Sequence, residues 1–406
     1  MALIHPFRAL RPVPARAAAV SSVPYDVVST EEARELARNN PFSFLRVTRS
    51  EIDLPPDADP YAARVYQRAR ENFQKLRETA PLVLEDTPSL YFYRLKMGQH
   101  EQTGLAGCFS VDEYERDIIK KHERTRRDKE DDRTRHIIEL RAQTGIVFLV
   151  YRGVSEVDEI SRRVSASEPL YDFTADDAVQ HTVWRAAEED ARALVAAFAK
   201  IPSLYIADGH HRAASAARAR DEMRGRPGVT PEVGTFIAVA FPDKQVQILP
   251  YNRTVKDLGG RTSAQFLKML RDRLPVAEGS AAPRRKGEVA MYLERKWYSV
   301  DLTRAQPADV SHGSRLDVSL LQRVVLEQLL NVGDVRSDKR IDFIGGARGA
   351  KALETAVDSG RAAVAFSLFP VTVEDLIAIS DAGGIMPPKS TWFEPKLRDG
   401  LLVHVI

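Results

Sequence analysis

The stretch 203–220, SLYIADGHHRAASAARAR, decides how this chain is read. Leu204 to Ala207 form a short β-compatible apolar run, Asp208-Gly209 is a turn dipeptide, and the alanines from Ala213 onward are strong helix formers. The segment therefore predicts a strand, a tight polar turn and a helix. Gly209 has no Cβ and permits backbone conformations and close approaches that other residues hinder. A helix beginning just beyond it directs N–H groups and a partial positive charge at the turn, and Arg212 adds a guanidinium fork that matches phosphate. Asp208, delivered to the same mouth by the strand, can hold Mg²⁺ or orient a histidine. His210 and His211 are adjacent, so they point in different directions and need not both face a ligand. Two readings stand here: a phosphate cradle, or a plain turn whose Asp208 caps the helix.

Working outward, Glu188 to Lys200 form an Ala-rich amphipathic helix before this segment, and TFIAVAF (235–241) and VQILPY (246–251) supply strands after it. Further upstream, Ser29 and Glu32 have capping-box spacing and start a helix that Asn40-Pro41 ends, leaving Pro24, Tyr25 and Asp26 in a loop at its mouth. Asp59-Pro60 opens a second helix with Val65, Ala69, Phe73 and Leu76 at helical spacing. Residues 89–111 read as a hairpin leading into a second capping box, Ser110 with Glu113. The charged run RDIIKKHERTRRDKEDDRTRHIIELR is a helix stopped by Gly145, and IVFLVY is a buried strand. Beyond GGRTS (259–263) the candidates are helices over 262–274 and 315–331, the glycine-rich IGGARGAKAL (344–353), a strand over 362–369 and the helix TVEDLIAISDAG. Alternation of this kind fits a mixed α/β or α+β architecture.

Composition bounds the function. With 59 Lys+Arg against 57 Asp+Glu in 406 residues, the net charge is +2, which guarantees no broad basic surface for nucleic acid. The single cysteine, Cys108, excludes an internal disulfide and a Cys-rich zinc cluster and suits a reducing cytoplasm. No apolar run approaches the roughly 20 residues that cross a bilayer. Pro6, Pro12 and Pro14 interrupt the first segment before a signal core could form. Neither G-x-x-x-x-G-K-[ST] nor G-x-G-x-x-G occurs, nor do H-E-x-x-H or G-x-S-x-G, so ordinary P-loop, dinucleotide, zinc-protease and esterase chemistries have no support. His136 and His181 read as structural. IGGARGAKAL, with Arg348 and Lys351, matches no phosphate signature and reads as a strand–turn–helix connection.

Several blocks occur together in one order: PFRALRP and VPYDVVS near the start, NPFSFLRV, KHERTRRDKEDDR, DGHHRAAS after a strand, and MPPKSTWFEPKL near the end. They resemble a bacterial and archaeal family of long-uncharacterised proteins similar to the ParB/sulfiredoxin-like superfamily, which includes free-serine kinases. The resemblance implies that a G-x-x-R-like element holds nucleotide phosphates, here on Gly209, His210, His211 and Arg212. It also implies a carboxylate near the N terminus that prepares a serine hydroxyl for attack. Asp26 stands there, where those kinases carry Glu, and its side chain is shorter. The sulfiredoxin cysteine has no counterpart beside DGHHR, and Cys108 reads as a small buried apolar residue. Under the resemblance the segment 122–133 becomes more than a solvated helix face. His122, Glu123 and Thr125 precede the charged run, Lys129 or Arg133 could neutralise phosphoryl charge, and Glu123 competes with Asp26 as base or metal ligand. Lys389, Ser390 and Thr391 offer anion contacts and Trp392 a stacking face, although a proline-fixed closure explains that segment almost as well.

The expectation is a ParB/sulfiredoxin-like core with a mixed sheet and flanking helices over 1–258, and a C-terminal α+β portion over 259–406 whose last segment folds back on the core. The function expected is a cytoplasmic, nucleotide-dependent phosphotransferase acting on a hydroxyl of a small metabolite, serine first. ATP or ADP and Mg²⁺ are the cofactors, with Mg²⁺ on Asp208. Asp26, Glu123, Asp208, His210 and Arg212 are the catalytic candidates; Gly209, His210, His211, Arg212, His122, Thr125, Lys129, Arg133, Lys389 and Ser390 are the nucleotide-binding ones. The partners are nucleotide and small substrate, without nucleic acid or membrane. The alternative is a ParB-like nucleotide-responsive regulator or DNA-associated protein that binds the same phosphates without transferring them.

Overall fold

A computed structural model describes residues 2–305 and 311–406. The chain forms two compact units. The first comprises Met1–Lys121, Thr125–Val246 and Pro395–Ile406, and the second His122–Arg124 and Gln247–Glu394.

In the first unit nine strands make one sheet: β1 (Ile4–His5), β2 (Tyr91–Met97), β3 (His100–Ser110), β4 (Ile119–Lys120), β5 (Val147–Tyr151), β6 (Tyr171–Thr174), β7 (Val179–Arg185), β8 (Leu204–Asp208) and β9 (Thr235–Pro242). Their order is β4-β8-β5-β9-β3-β2-β7-β6, with β1 beside β3. The pairs β4/β8 and β5/β9 are parallel and the other ladders antiparallel, so the sheet is mixed. Strand β5 lies between β8 and β9 with every residue buried, which is why its sequence is a continuous apolar run and not an alternating one. Leu149, Ile206, Ala213, Leu194, Phe198 and Ala238 belong to one buried cluster on this sheet. Each large apolar side chain in it contributes on the order of 2 kcal/mol by leaving water.

The helices that concern the site are α1 (Thr30–Ala37), α2 (Ala63–Thr79), α3 (Arg127–Leu140), α4 (Glu188–Phe198) and α5 (His210–Met223). Ser29 and Glu32 form the expected reciprocal capping box at α1. Three local expectations change. The Asp59-Pro60 segment is a turn in which the Asp59 carboxylate accepts from Tyr61 N–H at 2.9 Å, and α2 begins at Ala63. At Ser110 only half of the box forms, because the Glu113 carboxylate accepts from Leu3 N–H at 3.0 Å instead of returning to Ser110. Helix α3 ends at Leu140, where Arg141 turns left-handed at φ 51°, four residues before Gly145. Helix α5 is buried on several sides by Ala213, Ala214, Ser215, Ala216, Ala217 and Ala219. Small side chains let it lie close to β5, β9 and α3, and Ser215 Oγ donates to the Glu130 carbonyl at 3.3 Å.

A small antiparallel sheet, in the order Leu82–Leu84, Ala9–Pro12, Val403–Val405 and Ala142–Gln143, ties the chain's last residues into the first unit. The second unit has a six-stranded antiparallel sheet, with a helix–turn–strand periphery. Its strands are β10 (Tyr251–Val255), β11 (Val276–Glu278), β12 (Glu288–Leu293), β13 (Lys296–Asp301), β14 (Ile341–Gly345) and β15 (Val364–Leu368), in the order β11-β13-β12-β15-β10-β14. IGGARGAKAL here is the strand–turn–helix that its sequence implied, β14 leading to a helix over Gly349–Asp358. Among the described residues no helix is long and apolar enough to cross a membrane.

Candidate functional site

Strand β8 delivers the candidate site through a local irregularity: its register against β5 shifts between Ile206 and Asp208. A bulge at a strand end re-aims the side chain that follows. Gly209 then adopts φ +95°, ψ 28°, and α5 starts at the next residue. A Cβ at Gly209 would lie 3.3 Å from both Arg212 Cδ and the Val147 backbone, so the position excludes side chains by conformation and by space. Gly209 is the N-cap and, having no side chain, contributes no capping bond of its own. Asp208 Oδ2 accepts from Lys396 Nζ at 3.0 Å. The first-turn amides and the dipole of this 14-residue helix are directed at the same turn.

Arg212 does something other than reach out. Its Nη2 donates to both carboxylate oxygens of Asp26, at 2.7 and 2.8 Å, and its Nη1 donates to the Ile146 carbonyl at 2.7 Å. The Arg212 side chain is 6% exposed and that of Asp26 36%, so the guanidinium stands behind and the carboxylate in front. Gly145 makes room for it, since a Cβ there would come within 3.1 Å of Arg212 Cδ; this packing, and not helix termination, accounts for Gly145. Arg212 Nε is buried without a hydrogen-bond partner. Burial opposes the charge on Arg212, but Asp26, Asp208 and Asp399 outweigh it and hold the proton more firmly than in an ordinary guanidinium.

Tyr25 is buried between two cations, with the Arg133 guanidinium 4.2 Å and the Arg212 guanidinium 5.6 Å from its ring centre. Burial first, and Asp26 second, push its phenol well above the ordinary range, so it stays neutral. Arg133 is itself committed: it donates to Asp132 Oδ2 from Nε at 2.8 Å and from Nη2 at 2.7 Å, and to the Thr48 carbonyl from Nη1 at 3.2 Å. Asp132 also accepts from Tyr66 OH at 2.8 Å. Arg133 thus braces Tyr25 from the protein side.

Of the other residues singled out from the sequence, His210 is buried at the start of α5 and His211 Nε2 accepts from Arg126 N–H at 3.0 Å. Thr125 Oγ1 donates to Glu130, and Lys129 Nζ donates to Tyr61 OH at 3.0 Å. The structure therefore brings Asp26, Asp208, Gly209, His210, His211 and Arg212 to one strand end, with Lys129 and Arg133 on α5's neighbour α3 and Thr125 just before it. His122, Glu123, Lys389 and Ser390 belong to the second unit. There the His122 carbonyl accepts from Met386 N–H at 2.8 Å, Ser390 Oγ donates to the Pro387 carbonyl at 2.6 Å, and Lys389 Nζ lies 5.5 Å from the Tyr251 ring centre.

Two residues at this strand end were not singled out. Lys396 pairs with Asp208, and Asp399 is buried beside Arg212 at 1% exposure with Oδ2 unpartnered. Burial pushes the Asp399 carboxyl up to about 7, against the pull of Arg212 and with a push from Asp26. Both residues sit in WFEPKLRDG, a stretch that drew attention to Lys389 and Ser390 a few residues earlier. The usable signal was Asp399-Gly400, a turn dipeptide: Gly400 has φ +90°, and a Cβ there would strike Phe44 at 2.8 Å.

The family model described as "Protein of unknown function (DUF1015)" matches residues 4–319. Among solved structures, the chain is similar to SbnI with C-terminal truncation from Staphylococcus aureus, with TM-score 0.40 and 11% identity over 74% of this chain and 87% of that one. It is similar to a conserved hypothetical protein from Pyrococcus furiosus, with TM-score 0.36 and 15% identity over 74% and 95%. It is also similar to a free serine kinase in complex with AMP, with TM-score 0.36 and 14% identity over 73% and 91%. No curated protein matches the chain.

Proposed function

The chain belongs to the DUF1015 family of proteins of unknown function, and from that premise we propose that it is a nucleotide-dependent phosphotransferase acting on a hydroxyl of a small metabolite, serine being the first candidate. The observation that carries the reading is the junction at Gly209: a helix that starts behind a left-handed glycine, beside a carboxylate, Asp26, that a buried arginine clamps at the same strand end. The residue blocks, which resemble a family similar to the ParB/sulfiredoxin-like superfamily, support the same reading. The terminal phosphates of ATP or ADP would lie against Gly209 to His211, on the first-turn amides of α5. The acceptor hydroxyl would approach Asp26, whose two oxygens are oriented by Arg212. A new bond forms from that oxygen to the transferred phosphorus, the bond to the nucleotide's bridging oxygen breaks, and the hydroxyl proton passes to Asp26. Phosphoryl transfer of this kind depends on alignment and charge neutralisation. Arg212 is on this account a positioning residue.

Mg²⁺, when bound, would neutralise phosphate charge. Its expected ligand is Asp208, whose Oδ2 also accepts from Lys396 Nζ at 3.0 Å.

The test is direct. Protein incubated with ATP or ADP and a pool of hydroxylated metabolites that includes serine should yield a product heavier by one phosphate, read by mass spectrometry. Asp26→Asn should lower that rate by about 10²-fold or more while leaving nucleotide binding in place. A protein that neither binds nucleotide nor makes such a product is not a phosphotransferase. The commitment of Arg212's donors to Asp26 and Ile146 favours a second reading, a nucleotide-responsive binding protein without turnover. Nucleotide binding with no product would establish it, and steeply salt-sensitive DNA binding would add the DNA-associated role.

A further inference from the structure

We propose that Lys396, supplied by the chain's C-terminal return into the first unit, is the cation that meets the nucleotide's terminal phosphates at the Gly209 turn. The inference rests on the phosphotransferase reading and assigns within it a residue that the strand–turn–helix segment does not contain. A phosphate group brought to this strand end enters the field of two carboxylates, Asp26 and Asp208, and needs a positive charge within reach. Arg212 cannot provide it without giving up its bonds to Asp26 and Ile146. Arg133 is committed to Asp132 and Thr48. Lys396 Nζ stands 3.0 Å from Asp208 Oδ2, one residue before the left-handed glycine that opens the helix. Its side chain is 15% exposed and that of Asp208 29%, so the pair is sheltered but reachable.

Lys396 is also held in place by the chain that follows it. The next residue but one, Arg398, donates to His181 Nε2 at 3.3 Å, and Asp399 exchanges backbone hydrogen bonds with Ser22 at 2.9 and 3.1 Å. Gly400 then packs its bare Cα face on Phe44. Long flexible lysines usually lose much rotamer freedom on binding. Here the backbone is pinned and the ammonium is tethered by Asp208, so most of that cost is met when the protein folds. An ammonium has three rotatable donors and can hold a carboxylate and a phosphate oxygen together.

The experiment is an ADP titration of the full chain by calorimetry, with adenosine as the uncharged control, on wild type, Lys396→Met and Lys396→Arg. Lys396→Met is expected to weaken ADP about tenfold or more, to leave adenosine unchanged, and to be largely rescued by Lys396→Arg. As a measurement independent of any variant, amine-reactive labelling of the wild type should modify Lys396 and should be suppressed there by ADP but not by adenosine. Wild type that binds ADP while Lys396→Met binds it equally well overturns this inference and leaves the nucleotide reading intact. Wild type that binds neither ADP nor, in a parallel titration, ATP overturns the reading and the inference with it. Should Lys396→Met fail to fold, labelling of Lys396 that ADP does not suppress overturns the inference alone.

Discussion

Replacing Asp399 with asparagine should change how stability responds to pH more than it changes stability itself. The folded carboxyl titrates near 7 because burial disfavours its charge and Arg212 offsets only part of that. The unfolded carboxyl titrates near the ordinary value of about 3.9. Between these two values the folded protein holds a proton that the unfolded chain has lost. Stability contributed by this group is therefore fully present below about pH 4 and is lost as pH rises through about 7. At roughly 1.4 kcal/mol per pH unit, the whole loss is on the order of 4 kcal/mol. Between pH 5 and pH 8 it comes to roughly 3 kcal/mol. The amide introduced by Asp399→Asn has no proton to lose in this range, so the difference in unfolding free energy between variant and wild type should move by about that amount over the interval, in the variant's favour at pH 8. Urea unfolding at the two pH values, on both proteins, measures it. Subtracting the variant removes independent titrations elsewhere, and the groups that face Asp399, namely Arg212, Asp26 and Arg133, are the ones whose coupling could alter the result. A difference that stays constant within about 0.5 kcal/mol from pH 5 to pH 8 would show that Asp399 is ionised throughout, and would remove it from the network behind Asp26.

Other outcomes follow from the same geometry. Arg212→Lys keeps a charge but cannot span both Asp26 oxygens and the Ile146 carbonyl; steady-state kinetics should show about a tenfold or larger fall in kcat with a smaller change in KM for nucleotide. Arg212→Ala leaves the Ile146 carbonyl unpaired and should cost roughly 3 kcal/mol in denaturant unfolding. Gly209→Ala forces a side chain into φ +95° against Val147, so unfolding should show a loss of about 1–3 kcal/mol and calorimetry a loss of ADP binding. His136, His181 and His404 are held neutral by burial, at about 4, about 3 and about 4. Their folded values lie below the unfolded one, so the stability they contribute is present above about pH 6.5 and is lost as pH falls towards 4; thermal midpoints should drop over that range, and less so in His136→Asn.

What could be read from the sequence was what local chemistry determines. The turn at 208–209 was legible because only a glycine tolerates a left-handed bend pressed on a neighbouring strand, and the Ala-rich run beyond it was legible because small helix formers suit a helix buried on several sides. The strand Val147–Tyr151 showed itself as an unbroken apolar run. Asp26 was legible as a carboxylate in a loop at a helix mouth. Its partner was not, because the pair spans most of the first unit's chain and no local pattern encodes a contact that distant. The same holds for Lys396 and Asp399, which reach the turn through a chain return held by the Asp399–Ser22 backbone bonds and by the pairing of Val403–Val405 with Ala9–Pro12. Gly145 misled for a related reason: a glycine after a helix looks like a terminator, whereas its missing side chain serves an arginine from α5.

That last contact gives the site its physical logic. A guanidinium enclosed by protein is costly unless carboxylates and carbonyls answer it. Here Asp26 and Ile146 do so, and Asp399 supplies a further, proton-sensitive charge. The arrangement lets a buried cation hold a carboxylate at the surface with both oxygens fixed, at a strand end where a helix also begins behind a left-handed glycine. Neither element alone would distinguish a site from ordinary packing: arginine–aspartate pairs brace many folds, and helices often start behind glycines. Their convergence is informative because the carboxylate's outer face stays accessible directly beside a glycine held left-handed at the helix start. A purely structural pair has no reason to keep its acid exposed while burying its base. If Asp26→Asn destabilised the fold as much as Arg212→Ala and changed no binding or turnover, the pair would be a brace, and the exposure of Asp26 would carry no function.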